Sequence, residues 1–168
     1  GDKCSTPHFD KATLKHLFVD AFNQLITNKD EIAENCKLIK QVLADTSELD
    51  KEVDKLHSEI EVVSEMMRQC VEENAHAAMD QEEYEKRYEG LVSRYEKAKD
   101  RLEKVEEQRQ GRQVKRKGLE TFISVLLKKD IIISDFDEAL WHAVIGKVIV
   151  RNEDDVKFIF KDETVVKA

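Results

Sequence analysis

The chain has 168 residues and a formal net charge of −8; 38% of its residues are charged, and it has five glycines and one proline, Pro7. That profile is close to the A/E/K/L/R-rich composition of long helices, and it leaves room for a compact core only in the segments that flank them. No run of 18 apolar residues occurs, which excludes a helical membrane span, and no stretch reads as a secretory leader.

Residues 1–6 read as an extended entry, and Pro7 suits a chain that is not yet helical. From Asp10, the spacing of Leu14, Leu17, Phe18, Ala21, Phe22 and Leu25 predicts an amphipathic helix. Thr27 to Asp30 reads as a short break. A second helix is expected from Asp30, carrying Ile32, Ala33, Cys36, Ile39, Val42 and Leu43, with Asp45-Thr46-Ser47 as a bend or its wet face.

A heptad seam dominates the middle. Alternating steps of four and three run through Leu49, Val53, Leu56, Ile60, Val63, Met67 and Cys70. They continue through Asn74, Ala77 and Gln81, then Tyr84, Tyr88, Leu91, Tyr95, Ala98, Leu102 and Val105. An apolar repeat of 3.5 residues keeps one helical stripe against a partner helix. Its two strongly polar members, Asn74 and Gln81, fall together at the centre. There Asp80 can cap a new helix and Glu83 can complete a capping box. Two arrangements satisfy the seam. The break and the cap favour an antiparallel hairpin with arms at 45–74 and 80–110; the other is one continuous helix of about 65 residues that dimerises.

Beyond the second arm, Gly111 and Gly118 each cost about 1 kcal/mol in a helix interior and mark places for a kink. Leu119, Phe122, Ile123, Val125, Leu126 and Leu127 predict a strongly apolar helix packed on the helix of residues 10–26. Residues 131–133 read as a connector. Phe136, Ala139, Leu140, Trp141, Val144 and Ile145 predict an amphipathic helix of about ten residues with an acidic first turn and Gly146 as its stop. Val148-Ile149-Val150, a turn at 152–155, and alternating Val156, Phe158 and Phe160 then read as a β-hairpin that must pack on a helix. The expected fold class is therefore mainly α: a long antiparallel coiled-coil hairpin on a small helical base, with a C-terminal β-hairpin.

Charge is uneven. Residues 45–107 hold 20 acidic and 10 basic residues, a balance of −10, whereas residues 108–129 hold seven basic and one acidic, +6. The acidic hairpin is ill suited to phosphates. Arg109, Arg112, Lys115, Arg116 and Lys117 are the candidate phosphate contacts, with a solvated helix face as the bland alternative. Cys4, Cys36 and Cys70 are odd in number and widely spaced, so no disulfide framework is expected, and a reducing cytoplasm fits. Cys36 and Cys70 lie on apolar helical faces and are expected as small core residues. His57, His76 and His142 lack metal-ligand spacing. Trp141 is expected to anchor the tail, and Tyr84, Tyr88 and Tyr95 to pack on the seam. No nucleophile elbow, HExxH, P-loop or dinucleotide fingerprint is present.

Three segments, taken in order, resemble the large serine recombinases. Lys3-Cys4-Ser5-Thr6-Pro7-His8, followed by a helix with Phe18, Phe22 and Asn23, is similar to the exit of their zinc ribbon. The stretch from Glu73 through Asn74-Ala75-His76-Ala77-Ala78-Met79-Asp80 to Tyr84 is similar to the tip of their coiled-coil insertion. The tail resembles their C-terminal signature: Phe136-Asp137-Glu138-Ala139-Leu140-Trp141, Val148 to Val150, then Lys157-Phe158-Ile159-Phe160-Lys161-Asp162.

The resemblance implies the C-terminal region of a bacterial or phage-borne integrase or transposase, cytoplasmic and nucleoid-associated. Its DNA-cutting serine domain would lie outside this chain, so no catalysis is expected here. On this view residues 1–9 end a zinc ribbon, 10–44 are base helices, 45–110 form the hairpin with its tip near 74–80, and 111–168 hold the base helix, short helix and β-hairpin. A zinc ribbon needs four ligands, and only Cys4 matches, as the last one. No cofactor is therefore expected in this chain, and zinc is expected in the full-length protein. Glu163 departs from the family, whose tail often turns on a glycine after Asp162. The implied partners are other recombinase subunits, through Ala75, His76, Ala77, Ala78 and Met79, and DNA through the full-length protein. Neither a membrane nor a small-molecule substrate is implied. The implied role is control of synapsis and direction in DNA recombination; the alternative is a generic coiled-coil scaffold with no DNA role.

Overall fold

The computed structural model describes residues 10–77, 80–128, 132–152 and 154–168. The elements in chain order are α1 (Lys11–Thr27), α2 (Lys29–Ala44), α3 (Ser47–His76), α4 (Gln81–Lys128), α5 (Glu138–Val144), β1 (Ile145–Asn152), β2 (Asp155–Phe160) and β3 (Val165–Lys167). They group into two compact units. One comprises the described residues up to Ala44 together with those from Val114 onward; the other is Asp45–Gln113. The mainly helical fold with a small C-terminal antiparallel sheet is the one expected from the sequence.

The Asp45–Gln113 unit is an antiparallel helical hairpin. Four cross-helix ion pairs fix the direction. Arg87 meets Glu73 at 2.7 Å, Arg94 meets Glu59 at 2.5 Å, Arg101 meets Glu52 at 2.7 Å, and Arg109 meets Asp50 at 2.9 Å. One number rises as the other falls, which only antiparallel helices allow. Arg94 and Arg101 each reach their glutamate through two nitrogens, and these hydrogen bonds hold the Glu59 and Glu52 carboxyls below the usual range. These pairs are exposed and contribute little stability each, so their main effect is on register. Stability comes from the seam. Val53, Val63, Cys70, Leu91, Ala98 and Val105 are buried, and Tyr84, Tyr88, Tyr95 and Met67 pack beside Val63, Cys70 and Leu91. Leu56 and Ala98 line one shallow groove with Glu59 and Arg94.

The other unit holds the larger core. Phe18, Phe22 and Leu25 of α1 cluster with Ile32 and Cys36 of α2, Leu119, Phe122 and Leu126 of α4, Leu140 and Val144 of α5, and Val156, Phe158 and Phe160 of β2. Leu119, Phe122 and Leu126 thus share one core cluster with α1. Each fully buried phenylalanine is worth about 2 kcal/mol in area removed from water. Trp141 is half-buried and stands edge-on to Phe18, with ring centroids 4.9 Å apart, and to Phe158 at 6.1 Å, so it does anchor the tail. Asn23 ties the segment after α4 to α1. Its Nδ2 donates to the Ile133 carbonyl and its Oδ1 accepts from the Ile133 N–H, both at 2.9 Å.

Some local expectations give way to a different structure. Gly111 and Gly118 do not break α4; helical structure continues through both, and open space surrounds each where a side chain would project. Their entropic cost is outweighed by the seam on one side and the core on the other. α5 has seven residues, not ten, with Asp137 as N-cap accepting from the Leu140 N–H. Gly146 is no helix stop: α5 ends at Val144, and Gly146 lies in β1. There a Cβ would meet the carbonyl oxygens of Ile159 at 3.3 Å and Phe160 at 3.4 Å. Close backbone approach beside a register shift explains this glycine.

The β-hairpin gains a third strand. The sheet order is β1-β2-β3, all antiparallel, with Val148 opposite Phe158 and Phe158 opposite Val166. β2 joins β3 through a tight turn. Phe160 N–H donates to the Thr164 carbonyl, Glu163 N–H donates to the Phe160 carbonyl, and Asp162 accepts from the Thr164 N–H. Such a three-residue turn needs a left-handed residue at its end, and Glu163 supplies it with φ 71°, the one non-glycine positive φ among the described residues.

Two variants follow from this geometry. Glu163→Gly removes the left-handed penalty of about 1 kcal/mol and loses only one exposed ion pair, so the urea midpoint should rise by about 0.5–1 kcal/mol equivalent. A fall would mean that the Lys115 pair outweighs the strain. Asn23→Ala strands the N–H and C=O of Ile133 and should cost about 2 kcal/mol in the same assay. A cost below about 0.5 kcal/mol would show that water satisfies both groups equally well.

Candidate functional site

The hairpin turn is built by its polar residues. α3 ends at His76, and Ala77 is extended, with φ −128° and ψ 132°, while its N–H still donates to the Glu73 carbonyl at 3.0 Å. α4 opens on Asp80, whose Oδ1 accepts from the Glu82 N–H at 2.9 Å and whose carbonyl accepts from the Tyr84 N–H. The cap expected at Asp80 is therefore formed, to the second helical N–H. The reciprocal bond from Glu83 does not occur among the described residues. The two polar seam residues meet: Gln81 Nε2 donates to Asn74 Oδ1 at 3.4 Å. A single polar pair in an apolar seam favours one register over its neighbours.

Of the tip residues named from the sequence, Ala75, His76 and Ala77 are exposed; Ala78 and Met79 lie outside the described residues. Val71, one turn before Ala75 on the same face, is 47% exposed. It was missed because it is off the seam; an off-seam valine on a charged helix was the available signal. Tyr84 and Tyr88 stack on the other arm with centroids 5.9 Å apart.

The five basic candidates separate. Arg109 is engaged by Asp50. Arg112 donates to the Asp45 carbonyl at 2.5 Å. Lys115 meets Glu163 at 2.6 Å, and its hydrogen bond lowers the Glu163 carboxyl below the usual range. Only Arg116 and Lys117 have no intramolecular partner among the described residues. The first three are engaged within the chain, and phosphate could reach them only by competing with these bonds.

Cys4 lies outside the described residues. Among the described residues no group of three or more His, Cys, Asp or Glu side chains could hold a metal ion. Cys36 and Cys70 are buried, as expected, and burial pushes the Cys36 thiol up to about 11. A raised thiol stays protonated at neutral pH and is a poor nucleophile. A cleft of about 220 Å³ lies between α1 and α5, lined by Leu14, Lys15, Phe136, Trp141 and His142, with Lys15 Nζ 4.8 Å from the Phe136 ring centre. Lys11 and Glu138 complete its lining, and His142 Nε2 lies 3.9 Å from Glu138 Oε1. No described helix is long and apolar enough to cross a membrane. No family model, no curated protein and no solved structure matches this chain.

Proposed function

We propose that this chain is an interaction module of a site-specific DNA recombinase of the large serine type, and that its hairpin tip contacts the tip of another subunit during synapsis. The observation that supports this most is the division of apolar surface along the hairpin. The seam is consumed within the chain, from Val53 to Val105, so it is not available to a second chain. Apolar side chains off the seam are exposed along α3 at Val62 and Met66, and beside the turn at Val71, Ala75 and Ala77, on helices otherwise crowded with acids. A small apolar patch rimmed by charge marks a contact site, and two copies of one patch pair about a two-fold axis. The contact is small, so it acts when DNA already holds the subunits together. The order of the three sequence resemblances supplies the recombinase context. A scaffold that dimerises through its arms is disfavoured because the arms already satisfy each other. In this reading the chain does no chemistry; the serine domain and zinc ribbon of the full-length protein would cut and grip the DNA.

The test is Ala75→Asp with Ala77→Asp in the full-length protein. Both positions are exposed, so circular dichroism should report unchanged helix content. Single-site DNA binding should stay as in wild type, while synapsis or reaction direction changes. Wild-type synapsis and direction in the double variant would remove the tip from the mechanism.

A further inference from the structure

The sheet carries a second surface, independent of the tip. Residues paired across antiparallel strands share a face, and successive residues alternate faces. Val156, Phe158 and Phe160 of β2 are buried in the core, so Asp155, Lys157 and Ile159 belong to the opposite face. The register then lays out that outer face in rows. Lys147 stands beside Ile159 and Val165; Ile149 stands beside Lys157 and Lys167. Arg151 closes the far end, 3.9 Å from Asp155. Four cations therefore share this face with one carboxylate, on a chain whose net charge is −8.

Two features mark the face as more than a wet surface. Lys157 and Lys167 are directly opposed across β2 and β3. Like charges in that position repel and destabilise the pair. Among the described residues the only acid on the face is Asp155, which Lys167 reaches at 3.8 Å while Arg151 shares it. A chain that keeps a local conflict of this kind keeps it at places used for something else. Ile149 and Ile159 are half-buried on this face, and Val165, paired with Ile159, is exposed at the edge. The face thus sets its cations in register on a three-stranded antiparallel frame, with apolar residues between them.

We infer that the outer face of the three-stranded sheet binds the phosphate backbone of duplex nucleic acid, through Lys147, Arg151, Lys157 and Lys167. Phosphates would lie over the Lys157–Lys167 pair and remove its repulsion. Backbone contact of this kind positions the chain without reading sequence. The choice of duplex rather than acidic protein rests on the regular spacing of the cations across the strands, which matches a repeating line of phosphates, and not on the recombinase reading. The tip and the sheet lie in different units of the fold, so the two ideas fail separately.

The experiment uses the 168-residue chain and a fluorescein-labelled duplex of about 30 base pairs, followed by anisotropy from about 25 to 150 mM NaCl at pH 7. The inference predicts binding at the low-salt end, with a log–log salt slope of about −3, as expected for roughly three phosphates. Lys157→Gln with Lys167→Gln should weaken binding at least about tenfold at low salt and bring the slope to about −1. It should melt no lower than wild type, since it removes the repulsion. If that variant fails to fold, Lys147→Gln with Arg151→Gln serves instead, with the same expected loss. Arg116→Gln with Lys117→Gln should leave the slope unchanged. Absence of binding at the lowest salt, or a wild-type slope in either folded sheet variant, would overturn the assignment. So would poly-L-glutamate competing as well as unlabelled duplex of equal charge, which would make the surface a site for acidic protein.

Discussion

Everything distinctive about the hairpin depends on α3 and α4 satisfying each other's apolar stripe. A helix as charged as α3 has little reason to persist alone, because most helical stability comes from burying one face. Val63, Cys70, Leu91, Ala98 and Val105 provide that burial. Once they are covered within the chain, the seam can recruit nothing else. The paired Asn74 and Gln81 and the capped turn at Asp80 then set where the stripe ends. α3 spans about 45 Å at 1.5 Å per residue, and the apolar residues that remain exposed near its end sit far along the hairpin from its base.

The arginine pattern adds direction to that burial. Arg87, Arg94, Arg101 and Arg109 each face an acid on the opposite arm. A slip of one or a few residues would separate each arginine from its acid. Since each pair is exposed, the set works through geometry rather than through large energies. The same logic accounts for Arg112 and Lys115, which the local sequence presents as a free basic run and the fold draws into bonds with the Asp45 carbonyl and Glu163.

Much of this was legible in the chain because its signals were periodic or strong. The 3.5-residue repeat, its polar interruption and the cap at Asp80 gave the hairpin and its turn, and the clustered phenylalanines gave the base core. What escaped was non-periodic or long-range. β3 is three residues long, and it follows a turn whose left-handed position is filled by Glu163 rather than glycine, so the usual turn signal is hidden. Gly146 follows a helix and so mimics a stop signal, yet its reason lies in β2, across the sheet. The partners of Arg112 and Lys115 are 67 and 48 residues away, beyond any local pattern. The outer sheet face became visible only once the register aligned Lys157 with Lys167. The tip was located from sequence, but Val71 joined it only when its exposure was known.

The central claim is that the seam closes within one chain and leaves Val71, Ala75 and Ala77 exposed beside the turn. Oxidative cross-linking of Leu56→Cys with Ala98→Cys, with Cys4, Cys36 and Cys70 replaced by alanine, tests it most directly at high dilution. Both positions line the same groove of the hairpin, so the disulfide should form within single chains, giving a monomer on a non-reducing gel. Exclusively intermolecular products would contradict the account and identify a continuous helix that pairs with another chain.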